Sequence, residues 1–511
     1  VELAPGPKEL MNMQRFYLYL NMTKPGEKLI LSYSDTNAKG EGISPAYLIG
    51  SICSLYPKLE IKGGAGVRPH KNSINNYCYP ENPEAGIDLF LEKLVQETEK
   101  EHEDILGQAD ETDAVFGELY SWYLRNPEYR SRVQKLVQSA FAGKPKDIIS
   151  QSVAKALYGE VSPYSATRLE RFAACAFAHF LQYGMKLTER VEYEFKPMDM
   201  GNVMHGALES FAEEVRKRGM KWTELTEQER NEIADRCLDN IVADYGNTVL
   251  KSSARNEYMI ERTRRILRRT VWALQKQLEQ GEFQPEGFEV TFGGGRIDRV
   301  DIMEDQNKVY VKVIDYKTGN TSFDLVYLYH GLQLQLMIYL DGALRVEQKK
   351  YPDKEIIPAG VFYYNIKDPM IQEKIDADVE AVSAGLMKEL KMNGLVQADP
   401  ELVYRMDSSL GSIPVAFNKD GSFRKNSSVA DRTQFAVLGR YVRTKIEKIR
   451  SSILEGDAEV SPYELGKKNA CTYCPYMTVC GFDRRLSGYE FRRLKNFSDE
   501  ELWKAFDREA E

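Results

Sequence analysis

Asp315 and Lys317 stand two positions apart in VKVIDYKTG, residues 311–319, a run whose apolar residues suit a buried strand. Alternate residues of a strand share a face, so a carboxylate and an ammonium sit side by side in apolar surroundings. GRIDRVDI, residues 295–302, precedes this run across the polar stretch MEDQN, and the two read as a hairpin. With the turn centred between Asp305 and Gln306, Asp298 lies opposite Val313, and directly opposed residues share a face. Asp298, Asp315 and Lys317 then crowd onto one face of one sheet. Two carboxylates pressed together repel, and each resists ionising beside the other. A divalent cation removes that repulsion, and hard oxygen ligands favour Mg2+ or Mn2+ over zinc. The lysine can orient or deprotonate a water, or neutralise charge developing on a phosphate. The arrangement suits metal-assisted hydrolysis of a phosphodiester.

Other residues could serve the same site. His205 sits early in a helical pattern with Glu209 one turn on, and Gln335 and Tyr339 share a helix face after the 311–319 strand. Cys471, Cys474 and Cys480 form a C-x2-C-x5-C group. Three thiolates fall one short of what a tetrahedral metal or a cubane cluster needs. Cys175, in RLERFAACAFAHFLQYGMKL, is the best candidate for the fourth. A zinc knuckle using a histidine is the alternative, but none of the five histidines lies near the group. Few, clustered cysteines in a long chain do not read as a secreted disulfide framework.

These groups need a scaffold. The 511 residues allow about two to four domains, and 42% hydrophobic with 29% charged residues describe a globular chain. No run of about eighteen apolar residues occurs, so no membrane span is expected. A chain that opens on Val1, without a signal-peptide pattern, reads as a piece of a longer protein. The net charge of −8 does not advertise nucleic-acid binding, although local patches decide that. The basic runs 261–270 and 484–495 read as solvated faces.

Residues 10–34 read as helix, turn and strand, the strand being KLILSYS, and 85–157 as charged helices, with LFLEKLVQETEKEHEDIL the clearest. Ser165, or else Thr167, caps a helix whose apolar positions are Leu169, Phe172, Ala176 and Phe180. A second helix from about Gly201 carries the stripe Val203, Ala207, Leu208, Phe211 and Val215, and a charged helix covers 254–280. FEVTFG, GRIDRVDI and KVYVKVIDYK read as strands, YLYHGLQLQLMIYLDGAL as a helix, and PAGVFYYNI as another strand.

The order GNVMH, GRIDRVD, VIDYKTG, QLMIY resembles the RecB-type branch of the PD-(D/E)XK nucleases. The resemblance implies that His205, Asp298 and Asp315 bind the metal with the carbonyl of Tyr316, that Lys317 is catalytic, and that Gln335 and Tyr339 take the QxxxY positions near DNA. One cysteine before the core and three after it resembles the iron–sulfur members, which implies a [4Fe–4S] cluster on Cys175, Cys471, Cys474 and Cys480. Ala176 stands where the family's Cys-Pro-Phe has proline. Among these, PAGVFYYNIKDP and KMNGLVQADPELVYRMDSS look like the AddB family, second subunits of bacterial helicase–nucleases. QRFYLYLNMTKPGEKLILSYS resembles the last motif of UvrD-like helicases, with Thr23-Lys24-Pro25 in place of Thr-Arg-Ala, so the sensing arginine is absent. No phosphate-loop motif occurs.

The implied fold is α/β: a restriction-endonuclease-like core, a mixed sheet flanked by helices, with an iron–sulfur staple, after a helicase-like tail and a helical linker. The expected divisions are 1–60, helicase-like tail; 61–157, helical linker; 158–490, nuclease; and 491–511, C-terminal helix. The implied function is a Mg2+-dependent DNA exonuclease that cuts the 5′-terminated strand in double-strand break repair by homologous recombination. It would act on duplex ends and single strands in the bacterial cytoplasm, as a heterodimer with an AddA-like helicase–nuclease subunit. The other readings are a stand-alone iron–sulfur exonuclease of the CRISPR-associated kind and a non-catalytic DNA-binding scaffold. The front segment argues against the first, and intact Asp298, Asp315 and Lys317 argue against the second.

Overall fold

The computed structural model describes residues 6–34, 43–59, 83–84, 86–87, 90–91, 94, 111–140, 148–159, 165–190, 197–245, 250, 253–293, 295–371, 378–485 and 488–510. The chain forms two compact units, Val1–Phe141 and Ala142–Glu511. Among its described residues the first unit is helical: Pro7–Thr23, Tyr47–Leu55, Glu111–Arg125 and Pro127–Ala140, with a small core of Ile87, Phe90, Leu94, Tyr123 and Val133. Residues 28–34, expected as a strand, are exposed and form none. A strand is held by a partner's backbone and cross-strand side chains, and 28–34 belong to no sheet among the described residues. Most of LFLEKLVQETEKEHEDIL lies outside the described residues.

The second unit is built on one sheet in the order β1-β2-β3-β4-β5-β6. Its strands are β1 Gln284–Phe292, β2 Gly295–Asp305, β3 Lys308–Lys317, β4 Glu355–Asn365, β5 Asn393–Gln397 and β6 Val429–Ala430. The first three are an antiparallel meander, and β3 pairs in parallel with β4. A parallel neighbour needs a long crossover, here supplied by the helices Leu325–Tyr329 and Gln335–Lys350. β3 is buried from Val309 to Tyr316, as expected of a central strand covered on both faces.

On one face pack the helices Pro197–Lys217, Glu227–Asp244 and Ala254–Glu279. The stripe Val203, Ala207, Leu208, Phe211 and Val215 is buried in one core with Ile314, Tyr316, Phe362 and Tyr364. Ile266 and Leu267 of the basic run join that core while Arg264 and Arg268 pair with Asp239 and Asp235. On the other face pack Ala166–Ala174, Gln335–Lys350, Arg432–Glu455 and Asp499–Ala510, against Val311, Val313, Val361 and Tyr363.

Two expected helices are each interrupted. Ser165 caps Ala166–Ala174 through the N–H of Arg168, at 3.4 Å, but the helix stops at Cys175, which is extended (φ −165°, ψ 119°). A new helix begins at Ala176. That is the first helical position, where proline is well tolerated, so the break survives without the proline. YLYHGLQLQLMIYLDGAL likewise breaks between Tyr329 and Gln335, where Gly331 takes φ +78°.

Candidate active site

The hairpin turn is tighter than the sequence suggests. Asp305 pairs with Lys308 and Val300 with Val313, so the turn centres between Gln306 and Asn307. The two-residue loop puts Gln306 at φ +46°, a conformation such loops demand. The register Arg299 to Ile314 then carries Asp298 opposite Asp315, not opposite Val313. Moving the turn centre by one residue shifts the pairing by two, an even number, so Asp298, Asp315 and Lys317 still share a face.

Alternation also separates the two aspartates of RIDRVD. Asp301 is fully buried among Arg299 (2.5 Å) and Lys312 (2.9 Å), while Arg299 lies over the rings of Trp222 and Phe288. Both cations hold its carboxyl below the usual range against the burial that raises it. This is an internal ion cluster. Removing one partner of such a cluster costs about 3–5 kcal/mol, because a buried charge is left uncompensated.

At the site, Asp298 Oδ2 accepts the N–H of Tyr316 at 2.7 Å and lies 3.3 Å from His205 Nδ1. His205 comes from the Pro197–Lys217 helix on the opposite layer and reaches the strand ends there. Burial disfavours its imidazolium, but Glu289, Asp298 and Asp315 outweigh that and hold its pKa above the ordinary value. Burial first, then the Asp315 carboxylate, push Asp298 up to about 7. Burial also raises Asp315, whose Oδ2 meets Lys317 Nζ at 2.5 Å in an ion pair.

Glu289 of β1 is part of this cluster, and the sequence reading missed it. Its Oε1 is 3.9 Å from His205 Nδ1 and its Oε2 is 2.5 Å from Arg296 Nε. One ligand atom from each of His205, Glu289 and Asp298 lies within 4.8 Å of the others. Glu289 adopts φ +49°, rare for a side-chain-bearing residue and typical of strained functional positions. FEVTFG shows only a strand with one acidic residue, and no spacing rule marks Glu289. The Tyr316 side chain is buried in the core on the other face, where its ring meets the His205 ring edge-on at 6.1 Å, so it is the Tyr316 backbone that is offered on the Asp315 side.

Lys317 Nζ donates to Gln335 Oε1 at 2.8 Å, and Gln335 Nε2 donates to Tyr339 Oη at 2.9 Å. Tyr339 is buried, and these two side chains hold the lysine from the helix side. Glu170 Oε1 accepts the N–H groups of Leu334 (2.7 Å) and Gln335 (3.0 Å). Burial pushes Glu170 up to about 7 against the pull of these two bonds.

The four expected cysteines are free thiols, with Cys175 buried and the others half-buried. Burial raises the Cys471 thiol to about 12, with further contributions from Cys175, Cys474 and Cys480, which places the four in one neighbourhood. Among the described residues, no three of these sulfurs lie within 4.8 Å of one another.

Residues 163–481 match the PD-(D/E)XK nuclease superfamily. Along its whole length the chain is 39% identical to a protein of Lachnoclostridium phytofermentans named as the B subunit of an ATP-dependent helicase/deoxyribonuclease. It is 32% identical to proteins of the same name from Alkaliphilus metalliredigens, over 98% of the chain, and Clostridium acetobutylicum, over 100%. The chain spans 44%, 44% and 45% of these relatives, less than half of each. With the acidic hairpin, the lysine and the matched region in agreement, the chain belongs to the PD-(D/E)XK nuclease superfamily, and its full length is similar to the B subunits of bacterial helicase–deoxyribonucleases.

Proposed function

We propose that this chain is the metal-dependent deoxyribonuclease part of a helicase–nuclease B subunit. The observation that carries the reading is the meeting of His205, Glu289 and Asp298 ligand atoms within 4.8 Å, beside the Asp315–Lys317 pair. The carboxylate donors suit Mg2+ or Mn2+. His205, Asp298, Asp315 and the Tyr316 carbonyl would hold the ion, with Glu289 in reach. When bound, such an ion supplies Lewis-acid stabilisation of phosphate oxygens and a more acidic water.

The protein's own groups do the rest. Asp298 is oriented by the Tyr316 N–H, which holds the same Oδ2 that faces His205. Lys317, held between Asp315 and Gln335, presents a fixed donor to a phosphate oxygen or an attacking water. Gln335 and Tyr339 spend their mutual hydrogen bond on fixing that lysine. Cys175, Cys471, Cys474 and Cys480 would hold a [4Fe–4S] cluster that staples the two ends of the nuclease region, adding its binding energy to stability.

By its similarity to proteins named as helicase/deoxyribonuclease subunits, the chain would act on DNA ends with a helicase–nuclease partner, cutting the 5′-terminated strand in recombinational break repair. Among the described residues no helix is long and apolar enough to cross a membrane. The test is cleavage of end-labelled DNA with Mg2+ or Mn2+. Asp315→Ala should lower the rate at least about 10²-fold while keeping the fold, since it removes a charge that the ion needs. Undiminished cleavage by that variant refutes the assignment.

A further inference from the structure

Glu170 makes a bond pattern that the site so far leaves without a purpose. Its Oε1 accepts from the backbone of Leu334 and Gln335, 164 and 165 positions away in sequence. These N–H groups open the Gln335–Lys350 helix, and the first donors of a helix have no partner within it. A local side chain normally caps them. Here the capping position is Leu334, which has no acceptor, and the Gln335 side chain is committed to Lys317 and Tyr339. Glu170 therefore fills the cap from another helix, with its carboxylate at the favourable end of the helix dipole.

We propose that Glu170 is a positioning residue for Lys317, fixing the first turn of the Gln335–Lys350 helix so that Gln335 Oε1 meets the lysine. The line of contacts runs from Glu170 to the Gln335 backbone, from the Gln335 side chain to Lys317 Nζ, and from there to Asp315. The helix that bears Glu170 is anchored on its other side to the cysteine region. Arg171 lies over the Tyr476 ring at 5.6 Å, Arg492 donates to the Ala173 carbonyl, and Cys175 ends the helix. The cysteine region thus sets the lysine through one carboxylate and one helix turn.

The proposal rests on the nuclease reading above, and its test separates the two. A misplacement of about 1 Å costs a reaction on the order of 10²-fold. Glu170→Ala in the full chain should therefore slow single-turnover DNA cleavage by about 10–100-fold, with Mn2+ and DNA affinities changed less than about threefold. Glu170→Gln should stay within a few-fold of the wild type, because its amide oxygen can accept the same two N–H groups. Amide hydrogen exchange of the peptide covering Leu332–Tyr339 in the metal-free protein gives a readout independent of activity. It should be faster in Glu170→Ala and unchanged in Glu170→Gln. Wild-type exchange and cleavage in Glu170→Ala overturn the proposal, as does a Glu170→Gln protein as impaired as the alanine variant. If the wild type itself cleaves nothing with either ion, the nuclease reading fails, and the exchange comparison alone decides whether Glu170 holds this turn.

Discussion

Replacing Asp298 with asparagine should make the metal-free protein more stable and the metal-loaded protein inactive. Asp298 is 8% exposed and faces Asp315 across the hairpin, so its charged form is disfavoured by burial and by a like charge. Its folded pKa of about 7 stands above the ordinary 3.8. Between those values the folded protein keeps a proton that the unfolded chain releases, so stability falls as pH rises through that window and levels off above about 7. A gap of about three pH units, at about 1.4 kcal/mol each, sets an upper bound of about 4 kcal/mol. That net shift already contains the attraction to His205, which the amide forgoes, so the gain above neutral pH is at most about 4 kcal/mol. The asparagine oxygen still accepts the Tyr316 N–H, so no buried donor is orphaned. Urea unfolding in chelator should show the variant gaining on the wild type from pH 5 to pH 7, with no further change to pH 8. Adding Mn2+ should stabilise the wild type and leave the variant unmoved, and cleavage by the variant should fall at least about 10²-fold. A variant less stable than the wild type at pH 8 in chelator, or a pH-independent difference, would refute the account of two opposed carboxylates awaiting a cation.

Two further outcomes are expected. Lys317→Ala should leave Mn2+ affinity by calorimetry nearly unchanged and lower turnover, because an ammonium cannot ligate a metal; loss of the metal as complete as in Asp315→Ala would make Lys317 a structural counter-ion instead. Cys175→Ala should lose iron, sulfide and the broad visible absorption of the purified protein and lower the stability of the second unit; one zinc with no iron in the wild type would exclude the cluster, and a full cluster in the variant would exclude this ligand.

Much of the site is legible in the sequence because a strand has a period of two. That period puts Asp315 beside Lys317 and Asp298 on their face under either placement of the turn, so the misplaced turn centre did no harm. The same alternation sends Asp301 to the opposite face, into the Arg299–Lys312 cluster. Helical periodicity likewise marks the Val203–Val215 stripe, because a helix must bury one face whatever its neighbours are. Local patterning fails where a partner decides the outcome. KLILSYS alternates as a strand should, yet joins no sheet among the described residues, since a strand exists only by its neighbours' hydrogen bonds. The helix break at Cys175 came without a proline to announce it. Only the tertiary structure brings His205 from the opposite layer, turns Glu289 toward it through a left-handed backbone, and closes the Glu170 cap across 164 positions. Sequence spacing governs side chains within one regular element, where geometry repeats; contacts between elements depend on how layers pack, and no local period encodes that distance.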